Sequence, residues 1–281
     1  MNSEILVRRM TENEVGLIRS WANQEGWNPG VHDLAAFHAA DPEGFFIGLL
    51  DEQPVACISC VRYGDGYGFL GQYIVHSDFR GRGYGVAVWK AGMAHLNGCN
   101  VGLDGVLAQV PNYERSGFRF SHYHVRYGGI GGGDAPADLV PLTDVPFERV
   151  AAYDAKCFPA KRDVFLRSWL SLPESVALGA MANGRLSGFG ALRKAADGYK
   201  LGPLFSDDLE TAMRLLAGLI ATIPNQSYCV DVPEPDVQPG TTQLAQQFGL
   251  KEVFRTARMY TTGDPAFDRA RVFGITTLEL G

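Results

Sequence analysis

The residues best suited to chemistry fall in one stretch, Gln72-Tyr73-Ile74-Val75-His76-Ser77-Asp78-Phe79-Arg80-Gly81-Arg82-Gly83-Tyr84-Gly85-Val86-Ala87-Val88-Trp89. Tyr73-Ile74-Val75 reads as the end of a strand and Gly83 onward as a helix, so a Gly/Arg loop opens that helix. Glycine lets backbone N–H groups come close to a ligand, and the helix start adds unpaired N–H donors and a positive dipole end. Arg80 and Arg82 add charge, and together these features make a pyrophosphate site. A P-loop needs Gly-Lys-Ser/Thr, which is absent. A dinucleotide fingerprint needs Gly-x-Gly-x-x-Gly; counted from Gly81 the third glycine would be Val86, and from Gly83 it would be Val88, so both registers fail.

Arg80-x-x-Gly83-x-Gly85 resembles the acetyl-CoA pyrophosphate loop of the GNAT superfamily of N-acyltransferases, whose pattern is Gln/Arg-x-x-Gly-x-Gly/Ala after a strand. The family's second signature, Tyr-x-x-x-Gly-Phe after the next strand, is matched by Tyr113-Glu114-Arg115-Ser116-Gly117-Phe118, about 30 residues beyond the loop. The resemblance covers Ile5 to Tyr127, and the whole chain looks like the tandem acetyltransferases of the YitH and HolE type. It implies acetyl-CoA as cosubstrate, a small-molecule amine as acceptor, no metal, and direct attack of the amine on the thioester.

Carried onto this sequence, the resemblance assigns Arg80, Gly81, Arg82, Gly83, Tyr84 and Gly85 to the pyrophosphate. The backbone of Tyr73, Ile74 and Val75 would pair with pantetheine where this strand splays from the next. The Val75 N–H would polarise the thioester carbonyl, as an oxyanion hole does. Tyr113 would protonate the departing thiolate as general acid. The family often carries Asn and Ala on the helix leading to the tyrosine. Here Gln109-Val110-Pro111-Asn112 stands there, which leaves Asn112 or Gln109 as the candidate contacts from that side. An alkylamine has a pKa of about 10 and must lose a proton. His76, Asp78 and Asp104 are the nearby candidate bases, with relay through water as the alternative. Trp21 and Trp27 lie where the family builds its acceptor wall, as core or as wall.

A frame must hold these residues. Ile5–Arg8 reads as a strand. Thr11-Glu12-Asn13-Glu14 is a capping box opening a helix with Val15, Ile18, Trp21 and Ala22 on one face. A second helix covers Val31–Ala39. Phe45–Leu50, Val55–Tyr63 and Tyr67–Val75 form an antiparallel meander, followed by a helix over Gly83–Leu96, a strand over Leu103–Ala108, a helical turn at Pro111–Ser116 and a strand over Phe118–Tyr127. Gly128-Gly129-Ile130-Gly131-Gly132-Gly133 with Asp134-Ala135-Pro136 reads as a linker.

The second half repeats the first. Gly48-Leu49-Leu50 matches Gly179-Ala180-Met181, Arg62…Asp65-Gly66-Tyr67 matches Arg193…Asp197-Gly198-Tyr199, Gly117-Phe118 matches Gly249-Leu250, and Tyr127 matches Tyr260, at offsets of 131 to 133. The expected class is α/β (α+β): two tandem GNAT-like folds, each a mixed, mostly antiparallel sheet flanked by helices. Residues 1–130 would bind acetyl-CoA, and residues 138–281 would be a degenerate copy that shapes the acceptor pocket or mediates assembly. In that copy Ser206-Asp207-Asp208-Leu209-Glu210 replaces the loop and would repel pyrophosphate. Gln246-Gln247-Phe248-Gly249-Leu250 replaces the tyrosine signature. Asp231 and Glu234 read as a solvated loop or as a face for a cationic amine.

Composition bounds the rest. The chain has 281 residues, 46% hydrophobic and 20% charged, with a net charge of −6. That is ordinary globular composition and argues against nucleic acid, which calls for a basic footprint. Met1-Asn2-Ser3-Glu4 lacks an export signature, and no apolar run is long enough to span a membrane. Five cysteines, an odd number, fit reduced thiols in the cytoplasm. Cys57-Ile-Ser-Cys60 falls on a strand, where residues three apart face opposite sides, so it reads as two packing cysteines. His122 and His124 share a strand face without a third metal ligand. The reading is an N-acetyltransferase. Its alternatives are a non-catalytic acyl-CoA-binding regulator and a protein lysine or N-terminal acetyltransferase, and a homodimer is compatible with any of the three.

Overall fold

The capping box predicted at Thr11 opens the first helix: the Glu14 carboxylate accepts the Thr11 N–H at 2.8 Å. Val15, Ile18, Trp21 and Ala22 form its buried face. The computed structural model describes residues 5–281, so the reading of Met1–Glu4 lies outside the described residues. The first half runs β1 (Leu6–Arg9), α1 (Glu12–Gln24), α2 (Asp33–Ala40), β2 (Phe45–Leu50), β3 (Gln53–Tyr63), β4 (Tyr67–Val75), α3 (Tyr84–His95), β5 (Asn100–Val106), α4 (Val110–Arg115) and β6 (Arg119–Ile130). The second half repeats it as β7 (Leu139–Pro141), α5 (Phe147–Cys157), α6 (Asp163–Leu170), β8 (Ser175–Ala182), β9 (Arg185–Lys194), β10 (Tyr199–Ser206), α7 (Leu209–Ala221), β11 (Ser227–Pro233), α8 (Gly240–Gln247) and β12 (Lys251–Tyr260), with β13 (Val272–Gly274) added.

All the strands join one mixed sheet in the order β1-β2-β3-β4-β5-β12-β6-β11-β10-β9-β8-β7, with β13 on β10. The order is palindromic under the repeat. Each half crosses its last strand into the other: β12 lies between β5 and β6, and β6 pairs with β11. This corrects part of the linker reading. Gly128-Gly129-Ile130 finishes β6, paired with Cys229, Tyr228 and Ser227. The true connection begins at Gly131, and Gly132 and Gly133 take positive φ there.

The core also crosses the midline. Trp21, Phe37 and Phe69 of the first half share one apolar cluster with Phe158, Phe165 and Trp169 of the second. Phe37 and Trp169 stack at 5.9 Å. Asp33 accepts from Arg193 at 2.8 Å in a buried ion pair. Cys57 packs in this cluster and Cys60 in the cluster on the opposite sheet face, as two strand cysteines should. A chain cut at the connection would strip β12 of both its neighbours, take β6 from β11 and expose Trp169. A fragment starting at residue 138 is therefore expected to lack a cooperative unfolding transition on its own and to regain one when mixed with residues 1–137. A fragment with the full chain's transition midpoint would refute this.

Candidate active site

The β4–β5 pair is parallel and short. It runs only from Tyr67 opposite Asn100 to Leu70 opposite Leu103, after which the strands part. Past Leu103, β5 pairs instead with β12 on its other edge. A bulge opens the gap further. Cys57 faces Ile74 and Ser59 faces Gly71, so Gln72 and Tyr73 together oppose Ile58, and Gln72 takes φ +49°. The His76 N–H donates to Val55 at 3.0 Å on the β3 side. By antiparallel alternation, the Val75 N–H points to the other edge, into the gap.

At the mouth of the gap the chain turns through Gly81 and Gly83, at φ +74° and +83°, and Gly83 is the N-terminal cap of α3. These left-handed positions suit glycine. The Arg80 Nε donates to the Val75 carbonyl at 3.0 Å, and its Nη2 pairs with the Glu25 carboxylate. The Arg82 guanidinium lies over Phe79, 5.6 Å from the ring centroid. Gly85 is there for packing: a Cβ would overlap the Tyr73 hydroxyl. Tyr73 meets Trp89 edge-on and Trp89 stacks on Tyr113. The Tyr113 ring in turn lies on Gly105, where a Cβ would overlap it. Burial, and then the neighbouring Tyr73 hydroxyl, push the Tyr113 hydroxyl up to about 12, so it holds its proton at neutral pH.

The gap is the entrance to a cavity of about 500 Å³. Of the predicted residues, Tyr73, Ile74, Val75, Arg80, Gly81 and Tyr113 line it, as do Gln109 and Trp27. Arg82, Gly83, Tyr84, Gly85 and Asn112 do not. Asn112 is turned toward Gln109 and Arg115 instead. Trp21 belongs to the core, 5.6 Å from the His76 ring. Of the three candidate bases, His76 and Asp78 lie outside the lining. Asp104 is inside it but fully committed. Arg258 grips both its oxygens, at 3.0 and 2.6 Å, and His124 Nδ1 meets it at 2.8 Å. Burial alone would raise its pKa, but Arg258 and then His124 outweigh burial and hold the carboxyl far below its usual range.

Sequence reasoning missed the far wall. Glu25, Gln72, Arg126, Phe254, Thr256, Leu278 and Glu279 also line the cavity. The last four come from the second half. Arg126 forms a bidentate pair with Asp231, both contacts at 2.7 Å. This corrects the reading of Asp231, which is buried in β11 and is neither a solvated loop residue nor a free anion. Glu234 accepts the Tyr123 N–H at 2.8 Å. Burial would raise the Glu279 pKa, but Lys200 and Thr277 outweigh it and lower it to about 2. A Cβ on Gly71 would overlap the Glu279 carbonyl, so glycine there admits the 276–281 segment against β4.

Behind Asp104 lies a chain of buried polar groups. His124 Nε2 meets His122 Nε2 at 3.2 Å, and His122 Nδ1 meets Ser121 Oγ at 2.7 Å. Burial, then His124, lowers His122 to about 2, and burial lowers His124 as well. His122 stays neutral in the fold while its unfolded form protonates below about 6.5. The unfolded chain thus binds more protons in acid, and stability must fall as pH drops from 6.5. His122 alone accounts for about 2 kcal/mol between pH 6.5 and 5. His122→Asn is expected to flatten the pH dependence of the urea midpoint over that window; an unchanged slope would refute it.

The equivalent place in the second half is filled. β10 and β11 also pair in parallel and part after Leu201 and Val230. There β13 occupies the opening, pairing with β10, and the Ile275 N–H donates to the Asp231 carbonyl at 2.9 Å. The α7 start carries its own anion: the Asp208 carboxylate accepts the Thr211 N–H at 2.7 Å. Asp207 pairs with Arg271. Among the described residues no cluster of three or more His, Cys, Asp or Glu could hold a metal, and no helix is long and apolar enough to cross a membrane.

Comparison with known proteins agrees with this architecture. Residues 13–118 match the acetyltransferase (GNAT) family, and residues 150–274 match an acetyltransferase (GNAT) domain. The holothin acyltransferase of Pseudoalteromonas sp. (strain SANK 73390) is 32% identical over 268 residues, covering 94% of this chain and 90% of that protein. A candidate acetyltransferase from Pyrococcus horikoshii has the same fold with a TM-score of 0.85, at 19% identity and covering 100% of this chain and 97% of that one. A tandem GNAT protein from the clavulanic acid biosynthesis pathway superposes with a TM-score of 0.64, at 15% identity and covering 94% and 100% of the two chains. With a loop-and-tyrosine signature in one half, a filled copy of the same fold in the other, and a full-length acyltransferase relative, the chain belongs to the GNAT acetyltransferase family as a tandem member.

Proposed function

We propose that the protein transfers an acetyl group from acetyl-CoA to the amine of a small molecule. One observation supports the reading: the start of the loop at Arg80 and Gly81, the Val75 edge of β4 and the protonated Tyr113 side chain line one cavity. Pyrophosphate would sit at the α3 start, held by the loop N–H groups with Arg80 and Arg82, and pantetheine would pair with the free edge of Tyr73–Val75. The amine attacks the thioester carbonyl, the Val75 N–H takes the developing oxyanion, and Tyr113 protonates the sulfur as the C–S bond breaks. With Asp104 committed to Arg258, and His76 and Asp78 outside the lining, the amine proton leaves through water.

The second half would bind no CoA, because β13 fills its opening and Asp208 occupies its helix start. It serves the acceptor instead through Phe254, Thr256, Leu278 and Glu279. Walling by these residues favours a small molecule over a peptide, and the retained Tyr113 favours an enzyme over a regulator. The relative's name gives holothin as its acceptor, which makes holothin the first amine to assay. The free state of all five cysteines supports a reducing, cytoplasmic setting. Calorimetric titration with acetyl-CoA is expected to give one site per chain, and an amine panel including holothin to release CoA. Two equivalent cofactor sites, or no CoA release with any amine, would overturn the proposal.

A further inference from the structure

The charges that line the cavity are already spent. Glu25 is paired with Arg80, Asp104 with Arg258, Arg126 with Asp231 and Glu279 with Lys200. The Arg126 guanidinium is also covered by the Phe254 ring at 4.6 Å and donates to the Trp27 carbonyl at 3.3 Å. The uncharged polar groups differ. Gln72 and Thr256 line the same cavity and are only 5% and 3% exposed. Gln72 Oε1 and Thr256 Oγ1 have no hydrogen-bond partner among the described residues. Buried polar atoms are normally satisfied, and two left without a partner on residues that line one cavity point to a ligand atom that completes them. The Gln72 side chain is placed by the β4 bulge at φ +49°, a backbone conformation that a residue with a Cβ adopts only under constraint.

Resting on the proposed amine acetylation, we infer that the acceptor is a compact amine whose remainder is uncharged, held by Gln72 and Thr256 through neutral hydrogen bonds. Gln72 Oε1 accepts from an N–H or O–H of the acceptor, and Thr256 Oγ1 donates or accepts. Trp27 and Phe254 give flat apolar surface beside them, which suits a ring. A carboxylate, a phosphate or a second ammonium would enter a lining with no free countercharge and would have to break an existing ion pair or stay unpaired. Amino acids, polyamines and sugar phosphates are excluded on that ground.

Three amines of one shape test this with acetyl-CoA: 4-(aminomethyl)benzamide, 4-(aminomethyl)benzoate and 1,4-bis(aminomethyl)benzene. The neutral amide is expected to exceed both charged analogues by about tenfold or more in kcat/KM. Gln72→Met and Thr256→Val are each expected to raise KM for the amide about fivefold, with acetyl-CoA affinity unchanged as the check on folding, and Thr256→Ser to restore it. Preference for a charged analogue, equal turnover of all three, or an unchanged KM in both variants would overturn the inference and leave amine acetylation standing. Acetylation of none of the three by a protein that acetylates another amine of the panel would overturn the inference alone, and no CoA release with any amine would overturn both.

Discussion

Gly83→Glu is expected to abolish detectable acetyl-CoA binding. Gly83 caps α3 at φ +83°, where a residue with a Cβ is strained by about 1–2 kcal/mol. That strain costs stability. The loss of binding has a second source, a carboxylate at the helix start where pyrophosphate is proposed to lie. Two like charges about 5 Å apart at an effective dielectric near 20 repel by about 3 kcal/mol, more than 100-fold in affinity. The second half carries the natural counterpart of this change, since Asp208 caps α7 with its own carboxylate. Gly83→Ala separates the two causes. No atom lies within 4 Å of a Cβ there, so alanine adds strain without a clash or a charge. It should lower the melting temperature while keeping most of the affinity. Calorimetry on both variants decides the matter, and near-normal binding by Gly83→Glu would place the pyrophosphate elsewhere.

Tyr113→Phe is expected to lower kcat at least tenfold with acetyl-CoA affinity and fold retained, general acid catalysis being worth roughly 10²–10⁴-fold. The ring does the packing: it stacks on Trp89 and rests against Gly105, and phenylalanine keeps both contacts. The hydroxyl makes no hydrogen bond among the described residues that its removal would orphan. Only a group acting on the leaving sulfur would then show a loss confined to kcat. The measurement is steady-state CoA release with any accepted amine, alongside calorimetric Kd. Near-normal kcat would show that water protonates the thiolate.

The first half was readable because its signals are local. The strand-loop-helix at Val75–Tyr84 and the α4 turn before Gly117-Phe118 are each decided within a few residues by glycine conformation, helix capping and apolar periodicity. The same holds for the loss of the loop in the second half, since Asp207-Asp208 announces an acidic helix start. What the sequence could not decide was which strands pair across the midline. β6 and β12 are equivalent by repeat, and alternation alone does not say whether each stays at home or crosses. Burial of both faces and the shared Phe37–Trp169 core select the crossed arrangement. That crossing brings Phe254 and Thr256 to a cavity whose Tyr73–Val75 edge lies some 180 residues earlier in the chain. A trace was present: His122, His124 and Arg126 on β6, and Thr256 and Arg258 on β12, are polar residues that alternate on one face of each strand. Such a face must meet partners, but its partners Asp104 and Asp231 come from two other strands, β5 and β11. Local propensity therefore set the glycine loop and the tyrosine beyond it, while the far wall of the cavity exists only once long-range strand pairing and buried ion pairing have assembled it.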